Sequence, residues 1–348
     1  MRIESPHETL DVNKTVFIVA ELSANHGQDY SQAVDLIHAA KEAGANGIKL
    51  QTFTADTLTV NSDRPEFQIK GGLWDGWNLH KIYHAAHTPW EWHAGLQEEA
   101  TNLGLHFFST PFDPTAVEFL EELRIPVYKI ASFELVDLPL IRRVAQTGKP
   151  LIMSTGMATL GEIELAVNTA RDAGATDIAL LKCTSSYPAP VSEANLRTIP
   201  SLRDTFNVVP GLSDHTLDIT VPIIAVALGA RIVEKHICLS RDSDELDAAF
   251  ALVPEQFKAM VTAIRDAEAA FGTVHYGISA NEESGKKYRR SLYVVRDVKA
   301  GETITRENVR SIRPANGLAP KYWDDIEGRT LCVDVAANTP LDWSMISS

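Results

Sequence analysis

Three cysteines in 348 residues, Cys183, Cys238 and Cys332, are too few and too far apart for a disulfide framework or a thiolate metal site. Their scarcity suits a reducing compartment. Positive charge is also in deficit: 32 Lys and Arg face 46 Asp and Glu, a net charge of −14. That balance argues against nucleic acid or an anionic membrane as a partner. A local cluster of basic side chains can still hold an anionic substrate. No run of 18 apolar residues exists, so no membrane span is expected. The N-terminal MRIESPHETLDVNK lacks the apolar stretch of a secretion signal, and a cytoplasmic location is the expectation. A glycine-rich turn after the first apolar run is missing too, which counts against an open dinucleotide-binding sheet.

What the chain does have is 45% apolar residues, enough for a sizeable core. Short apolar runs alternate with helix-period segments from residue 16 to about 271. The runs are VFIVAEL (16–22), GIKLQTF (47–53), LHFFSTPF (105–112), VYKIAS (127–132), PLIMSTG (150–156), IALLKCTS (178–185), VVPGLSD (208–214) and RIVEKHI (231–237). Each is short, rich in β-branched or aromatic residues, and bounded by turn signals. Amphipathic stretches such as SQAVDLIHAAKEAG and GEIELAVNTARDAG lie between them and end at glycine. Near-continuous apolar strands fit a parallel sheet covered by helices, and eight strand–helix units predict a closed (β/α)₈ TIM barrel. One connection, residues 54–88, is unusually long, and long loops at barrel tops carry function. After Phe271 the texture changes to short strands and Gly turns. Residues 284–348 hold 11 Lys/Arg against 8 Asp/Glu, a basic end on an acidic chain. The expected division is a barrel over 1–275, a linker over 276–288 and a small domain over 289–348. Opposite charges suggest that the two dock, within or between chains.

Every predicted strand ends in polar groups, which a barrel would bring to one mouth. They include Glu21, then Lys49 and Gln51, then Ser109 and Thr110, then Lys129, Ser132 and Glu134, then Ser154, then Lys182, Ser185, Ser186 and Tyr187, then Ser213, Asp214 and His215, then Glu234, Lys235 and His236. Burying such groups without a use costs several kcal/mol each, on the order of a lost hydrogen bond or more. His215 and His236 end adjacent strands, where two imidazoles can hold a divalent metal. The plainer reading is two histidines hydrogen-bonded in the rim. Lys49 and Lys129 with nearby serine hydroxyls fit a phosphate or carboxylate ligand. A Schiff-base lysine is a third option, but it leaves the histidine pair unexplained.

VAELSANHGQD, GIKLQTF, FFSTPFD, YKIASFE, STGMAT, CTSSYPAP, GLSDHT and VEKH, followed by RRSLYVVRDVKAGETIT and RPANGLAP, span nearly the whole chain in order. In these stretches it resembles the sialic acid synthase family. GGLWDGWNLHKIYHAAHTPWEW and CTSSYPAP look most like the pseudaminic acid synthase branch; sialic acid synthases usually carry Asn in place of Ser185. The resemblance implies a barrel followed by an antifreeze-like (SAF) domain that caps the partner subunit's site in a domain-swapped homodimer. It implies condensation of phosphoenolpyruvate with an N-acetylated amino sugar, here 2,4-diacetamido-2,4,6-trideoxy-L-altrose. Mn²⁺ or Mg²⁺ would sit on His215 and His236. Lys49, Thr110, Lys129, Ser132, Ser154, Ser185, Ser186 and Ser213 would hold phosphoenolpyruvate. Gln51, Tyr187, Asp247, Tyr288 and, from the partner chain, Arg313 would read the sugar. Glu21 and Glu134 are the expected catalytic carboxylates, Glu134 as the water activator. One departure stands out: the family commonly has Gly-Pro just before the aspartate matching Asp247, and this chain has Glu245-Leu246. The alternatives are an N-acetylneuraminate or legionaminate synthase, a related synthase using a phosphorylated sugar, and a non-catalytic sugar-binding protein.

Overall fold

The computed structural model describes residues 1–5 and 7–347. It forms two compact units, Met1–Gly272 and Thr273–Ser348. The first opens with an antiparallel hairpin, β1 (Arg2–Glu4) and β2 (Thr9–Asp11). Eight parallel strands then close on themselves: β3 (Phe17–Glu21), β4 (Gly47–Thr52), β5 (His106–Pro111), β6 (Tyr128–Ile130), β7 (Leu151–Ser154), β8 (Ile178–Cys183), β9 (Val209–Asp214) and β10 (Ile232–His236). Each falls inside one of the eight apolar runs, and β10 pairs with both β9 and β3.

The helices are α1 (Tyr30–Glu42), α2 (Ala55–Leu58), α3 (Leu79–Ala86), α4 (His93–Asn102), α5 (Pro114–Glu122), α6 (Leu138–Ala145), α7 (Leu160–Asp172), α8 (Thr198–Phe206), α9 (Thr220–Ala227) and α10 (Pro254–Phe271). Their starts are written locally. Asp29 and Asp113 accept from the first backbone N–H groups of α1 and α5, and Thr159 with Glu162 forms a capping box on α7. The connection from β4 to α4 holds α2, α3 and a hairpin-like turn closed by a Gln68–Asn78 bridge.

Strand period two sorts the side chains. Phe17, Val19, Phe108, Ile152, Ala179, Leu181 and Ile232 form one buried cluster with Ile3, Leu10 and Val12 of the N-terminal hairpin. That hairpin therefore plugs the N-terminal end of the barrel. Ile18, Ala20, Leu50, Tyr128, Ile130, Met153, Leu180 and Val233 join the helix side chains Leu36, Leu120, Val167 and Met260 in the main core. Each fully buried Leu, Ile or Phe contributes about 1.5–3 kcal/mol.

The same alternation corrects the expectation that every strand-end polar group reaches one mouth. Lys235 is buried in an ion pair with Asp214 at 2.5 Å. Ser109 bonds Thr52, which also bonds His93 of α4. Lys182 donates to the Cys183 carbonyl and the Thr184 hydroxyl. These residues are one step out of phase with the inward set, so they serve the sheet–helix layer.

The second unit has its own sheet, β11 (Ser291–Val294) flanked antiparallel by β12 (Val309–Ile312) and β13 (Thr339–Pro340), and a short helix, α11 (Trp323–Ile326). Leu292, Val294, Ile304, Val309, Ile326, Leu331 and Leu341 form a core of its own. Among the described residues, no helix is long and apolar enough to cross a membrane.

Candidate active site

At the C-terminal end of the barrel the inward positions turn polar. Glu21 follows Phe17 and Val19 in phase, Lys129 follows Val127, Ser154 follows Ile152, and Glu234 and His236 follow Ile232. A cavity of about 350 Å³ lies among them. Lys49, Gln51, Lys129, Ser132, Glu134, Ser154, Tyr187, Ser213, His215, His236 and Asp247 all line it. Six of these, Lys49, Gln51, Lys129, Ser154, Ser213 and His236, are set in place by strand register, and the other five arrive from the loops that follow the strands. Glu21 lies beside both Lys49 and His236, and Glu234 beside Ser213.

Two expected residues stand behind the cavity wall. Glu21 is fully buried, 2.5 Å from Lys49 Nζ, and Thr110 accepts from the same ammonium at 3.2 Å. Ser185 lies near the Cys183 thiol, within 3.8 Å. Ser186 bonds the Pro188 carbonyl in its own turn and does not line the cavity. Tyr288 and Arg313 belong to the second unit, where both are exposed; Lys287 lies over the Tyr288 ring and Arg313 directly follows β12.

The two lysines differ. Burial opposes the charge on Lys49, but Glu21 and Glu234, the latter at 3.5 Å, outweigh it and raise its pKa. Lys129 is 1% exposed, donates to the Ile130 carbonyl at 2.9 Å, and has its pKa lowered by burial. Among the described residues it makes no ion pair. Lys129 is therefore the better donor to an incoming anion, while Lys49 is committed to two carboxylates.

The carboxylates also divide. Burial alone would raise Glu234, but Lys129 and Lys49 hold it below its ordinary value. Burial pushes Glu134 up to about 7, and its buried Oε2 has no hydrogen-bond partner. A carboxyl poised near neutrality fits proton transfer. Ser154 Oγ is likewise buried without a partner. Ser132 accepts from the Gly156 N–H at 3.1 Å, and a Cβ on Gly156 would lie 2.1 Å from Ser185 Oγ. Glycine there lets backbone and two hydroxyls crowd together.

The histidine rings lie 5.4 Å apart, centroid to centroid. Burial, with His215 and three lysines adding to it, holds His236 well below the ordinary imidazole value, and its buried Nδ1 has no partner. His215 Nδ1 meets the Thr184 carbonyl at 3.0 Å. Burial disfavours charge on His215, but the Cys183 thiol and that carbonyl outweigh it and raise its pKa. A neutral ring with an unpaired nitrogen beside a second ring oriented by a carbonyl fits a divalent cation. Among the described residues, no group of three or more His, Cys, Asp or Glu side chains is placed to hold a metal. The protein's share of such a site is two imidazoles.

The Glu245-Leu246 departure is accommodated. Gln32 donates to Glu245 at 2.6 Å, and Asp247 accepts from the Ser23 hydroxyl. Asp247 stays in the cavity wall, 9% exposed.

The sequence places Glu234 at the mouth without a role of its own, and it gives none to Cys183, Ser23, Phe250 or Trp74; all five line the cavity. Cys183 was findable, since it is in phase with Leu181. Phe250 and Trp74 arrive from loops and have no such signal.

A sequence profile of the NeuB family matches residues 36–276, and one of the SAF domain matches 289–347. The pseudaminic acid synthase of Campylobacter jejuni subsp. jejuni is 44% identical over 325 residues, 93% of this chain and 95% of that protein. The N,N'-diacetyllegionaminic acid synthase of Legionella pneumophila subsp. pneumophila is 36% identical over 340 residues, 96% of this chain and 95% of that protein. The crystal structure of the N-acetylneuraminic acid synthetase of Leptospira borgpetersenii superposes with a TM-score of 0.72 at 29% identity, covering 82% of this chain and 95% of that one. These matches agree with the motif-level resemblance and with the closed eight-stranded barrel: the chain belongs to the NeuB family.

Proposed function

We propose that this protein is a nonulosonic acid synthase that condenses phosphoenolpyruvate with 2,4-diacetamido-2,4,6-trideoxy-L-altrose and water, giving pseudaminic acid and phosphate. The higher identity to a pseudaminic acid synthase, 44% against 36% for a legionaminic acid synthase, supports that sugar. The observation that carries the reading is one cavity joining an anion-binding group, Lys129, Ser132 and Ser154, to the His215–His236 pair.

Lys129 and the Ser132, Ser154 and Ser213 hydroxyls hold the phosphate and carboxylate of phosphoenolpyruvate. His215 and His236 would hold a divalent cation, Mn²⁺ or Mg²⁺, which would supply Lewis-acid polarisation to the sugar aldehyde. Gln51, Tyr187 and Asp247 orient the open-chain sugar. C3 of phosphoenolpyruvate forms a bond to the aldehyde carbon, whose oxygen takes up a proton. Positive charge develops at C2. Glu234, held ionised and facing the cavity, stabilises that charge more directly than Glu21, which sits behind Lys49. Glu134 takes a proton from the water that adds at C2. The bond from C2 to the bridging oxygen of the phosphate then breaks, the C2 hydroxyl passes its proton to the departing phosphate, and C2 becomes the ketone of the product. Arg313 completes the sugar site from a partner chain in a homodimer.

The test is incubation with phosphoenolpyruvate, metal and a panel of acetamido sugars, reading phosphate release and product mass. A nine-carbon 2-keto acid from the trideoxy sugar is expected. Absence of phosphate release with every sugar contradicts the synthase reading; release with another sugar only corrects the substrate.

A further inference from the structure

The steps above make no use of the long 54–88 segment. Its middle folds back on itself: the Ile69 N–H donates to the Trp77 carbonyl at 2.8 Å, and the Gly76 N–H to the Ile69 carbonyl at 3.0 Å. Gly71, Gly72 and Gly76 take φ of 78°, 76° and 82°, a turn that side-chain-bearing residues would strain. This tip presents Trp74 to the cavity. The Trp74 indole N–H donates at 3.0 Å to the carbonyl of Leu246, next to Asp247. Its ring lies 5.7 Å from Tyr187 and 6.4 Å from Phe250. Those rings pack on His215 at 4.5 Å and on His236 at 4.8 Å. One side chain from the loop therefore ties it to the segments flanking the histidine pair.

The phenol of Tyr83, one lining residue of this segment, sits near Glu134; the segment's others, Leu58, Ile69, Trp74, Ile82 and Ala86, line the cavity as an apolar wall, with Phe112 beside them. Such a surface has nothing to offer phosphoenolpyruvate, whose groups are charged. It suits methyl groups, and a hydroxyl buried against it would lose its water without gaining a partner. With the aldehyde C1 at the histidine pair and the acetamido groups read by Gln51, Tyr187 and Asp247, the C6 methyl at the remote end is the group that meets the apolar wall.

We infer that Trp74 and the apolar wall it anchors form a specificity subsite for the methyl-bearing end of the sugar, selecting a 6-deoxy acetamido sugar over its 6-hydroxy counterpart. This rests on the acetamido-sugar reading above. Trp74 acts here as a positioning residue: it fixes the loop tip and the Leu246–Asp247 backbone together.

The experiment uses the full chain with phosphoenolpyruvate and two sugars differing only at C6, 2,4-diacetamido-2,4,6-trideoxy-L-altrose and 2,4-diacetamido-2,4-dideoxy-L-altrose. The unaltered protein should favour the deoxy sugar in kcat/KM by roughly tenfold to a hundredfold, the range a hydrophobic pocket achieves against an added hydroxyl. Trp74→Ala should bring the ratio to within about threefold of unity through a higher KM for the deoxy sugar, with KM for phosphoenolpyruvate unchanged. Trp74→Phe keeps the ring and should retain more of the ratio. If Trp74→Ala does not fold, Ile69→Ser carries the test and should lower the ratio at least threefold on the same grounds. A ratio unchanged in the folded variants overturns this inference alone. No turnover of either sugar by the unaltered protein overturns it together with the reading it rests on.

Discussion

Glu134 combines burial, a partnerless oxygen and a pKa near 7 in one side chain. A base works only when ionised, so the rate should rise with pH through about 7 and level off above it. Glu134→Gln should lower kcat by roughly 10²–10⁴ and abolish that rise. A pH–rate profile on both proteins is the check; a rise that survives in the variant assigns it to another group. Lys49 makes the opposite kind of prediction. It is held by Glu21 at 2.5 Å and Glu234 at 3.5 Å, all three buried. Lys49→Met would leave Glu21 uncompensated and strip Glu234 of one of the two lysines that hold it ionised, and should cost about 3–5 kcal/mol of stability. The measurement is the urea midpoint, and an unchanged midpoint means that the ion pair contributes nothing net. Lys129→Met, with no carboxylate within ion-pair distance, should instead raise KM for phosphoenolpyruvate and, by loosening the hold on Glu234, lower kcat as well.

At the scale of elements, the N-terminal hairpin is separate from the chemistry. Ile3 is fully buried with Phe17, Phe108 and Ile232 at the floor of the barrel. Ile3→Ala should cost about 2–5 kcal/mol, the range for emptying a packed aliphatic site. Both KM values should stay put, because the cavity is at the other end of the strands. Thermal denaturation alongside initial rates separates the two effects. Strand phase, the element-level rule, also explains why His236 and Lys235 have different work one residue apart. His236 faces the cavity, and Lys235 pairs with Asp214 behind it.

At the scale of the whole molecule, the proposed homodimer can be tested. Arg313 lies in the SAF-matching part of the chain, outside the barrel unit. If it completes a partner's site, Arg313→Ala should raise KM for the sugar more than for phosphoenolpyruvate. A His215→Ala/His236→Ala chain mixed with an Arg313→Ala chain should then recover part of the lost activity, because one site of the mixed dimer regains every group. Equal loss of both KM values, or no recovery on mixing under dissociating and reassociating conditions, contradicts the assignment. The histidine double variant alone should be inactive and insensitive to added Mn²⁺, whereas the unaltered protein should lose activity to a chelator and regain it with metal.

The order of strands, the barrel and the inward-facing histidines were legible from the chain itself. Each strand is a short, near-continuous apolar run bounded by turn signals, and that information is local. His215, His236, Lys49 and Lys129 could be placed at strand ends for the same reason. Three things were not local. Lys49 and Lys129 look alike in sequence, and only the register that sets Glu21 and Glu234 beside Lys49 distinguishes them. Polar residues one step out of phase, Lys182, Asp214 and Lys235, look like site residues until the barrel closes and sends them to the helix layer. Trp74 and Phe250 come from irregular segments, whose course depends on what they pack against. The sequence by itself therefore determined the architecture and the chemical types at the mouth. The tertiary structure decided which charges are committed, which carboxyl is poised, and which loop walls the cavity, because burial and distance between residues far apart in the chain exist only after folding.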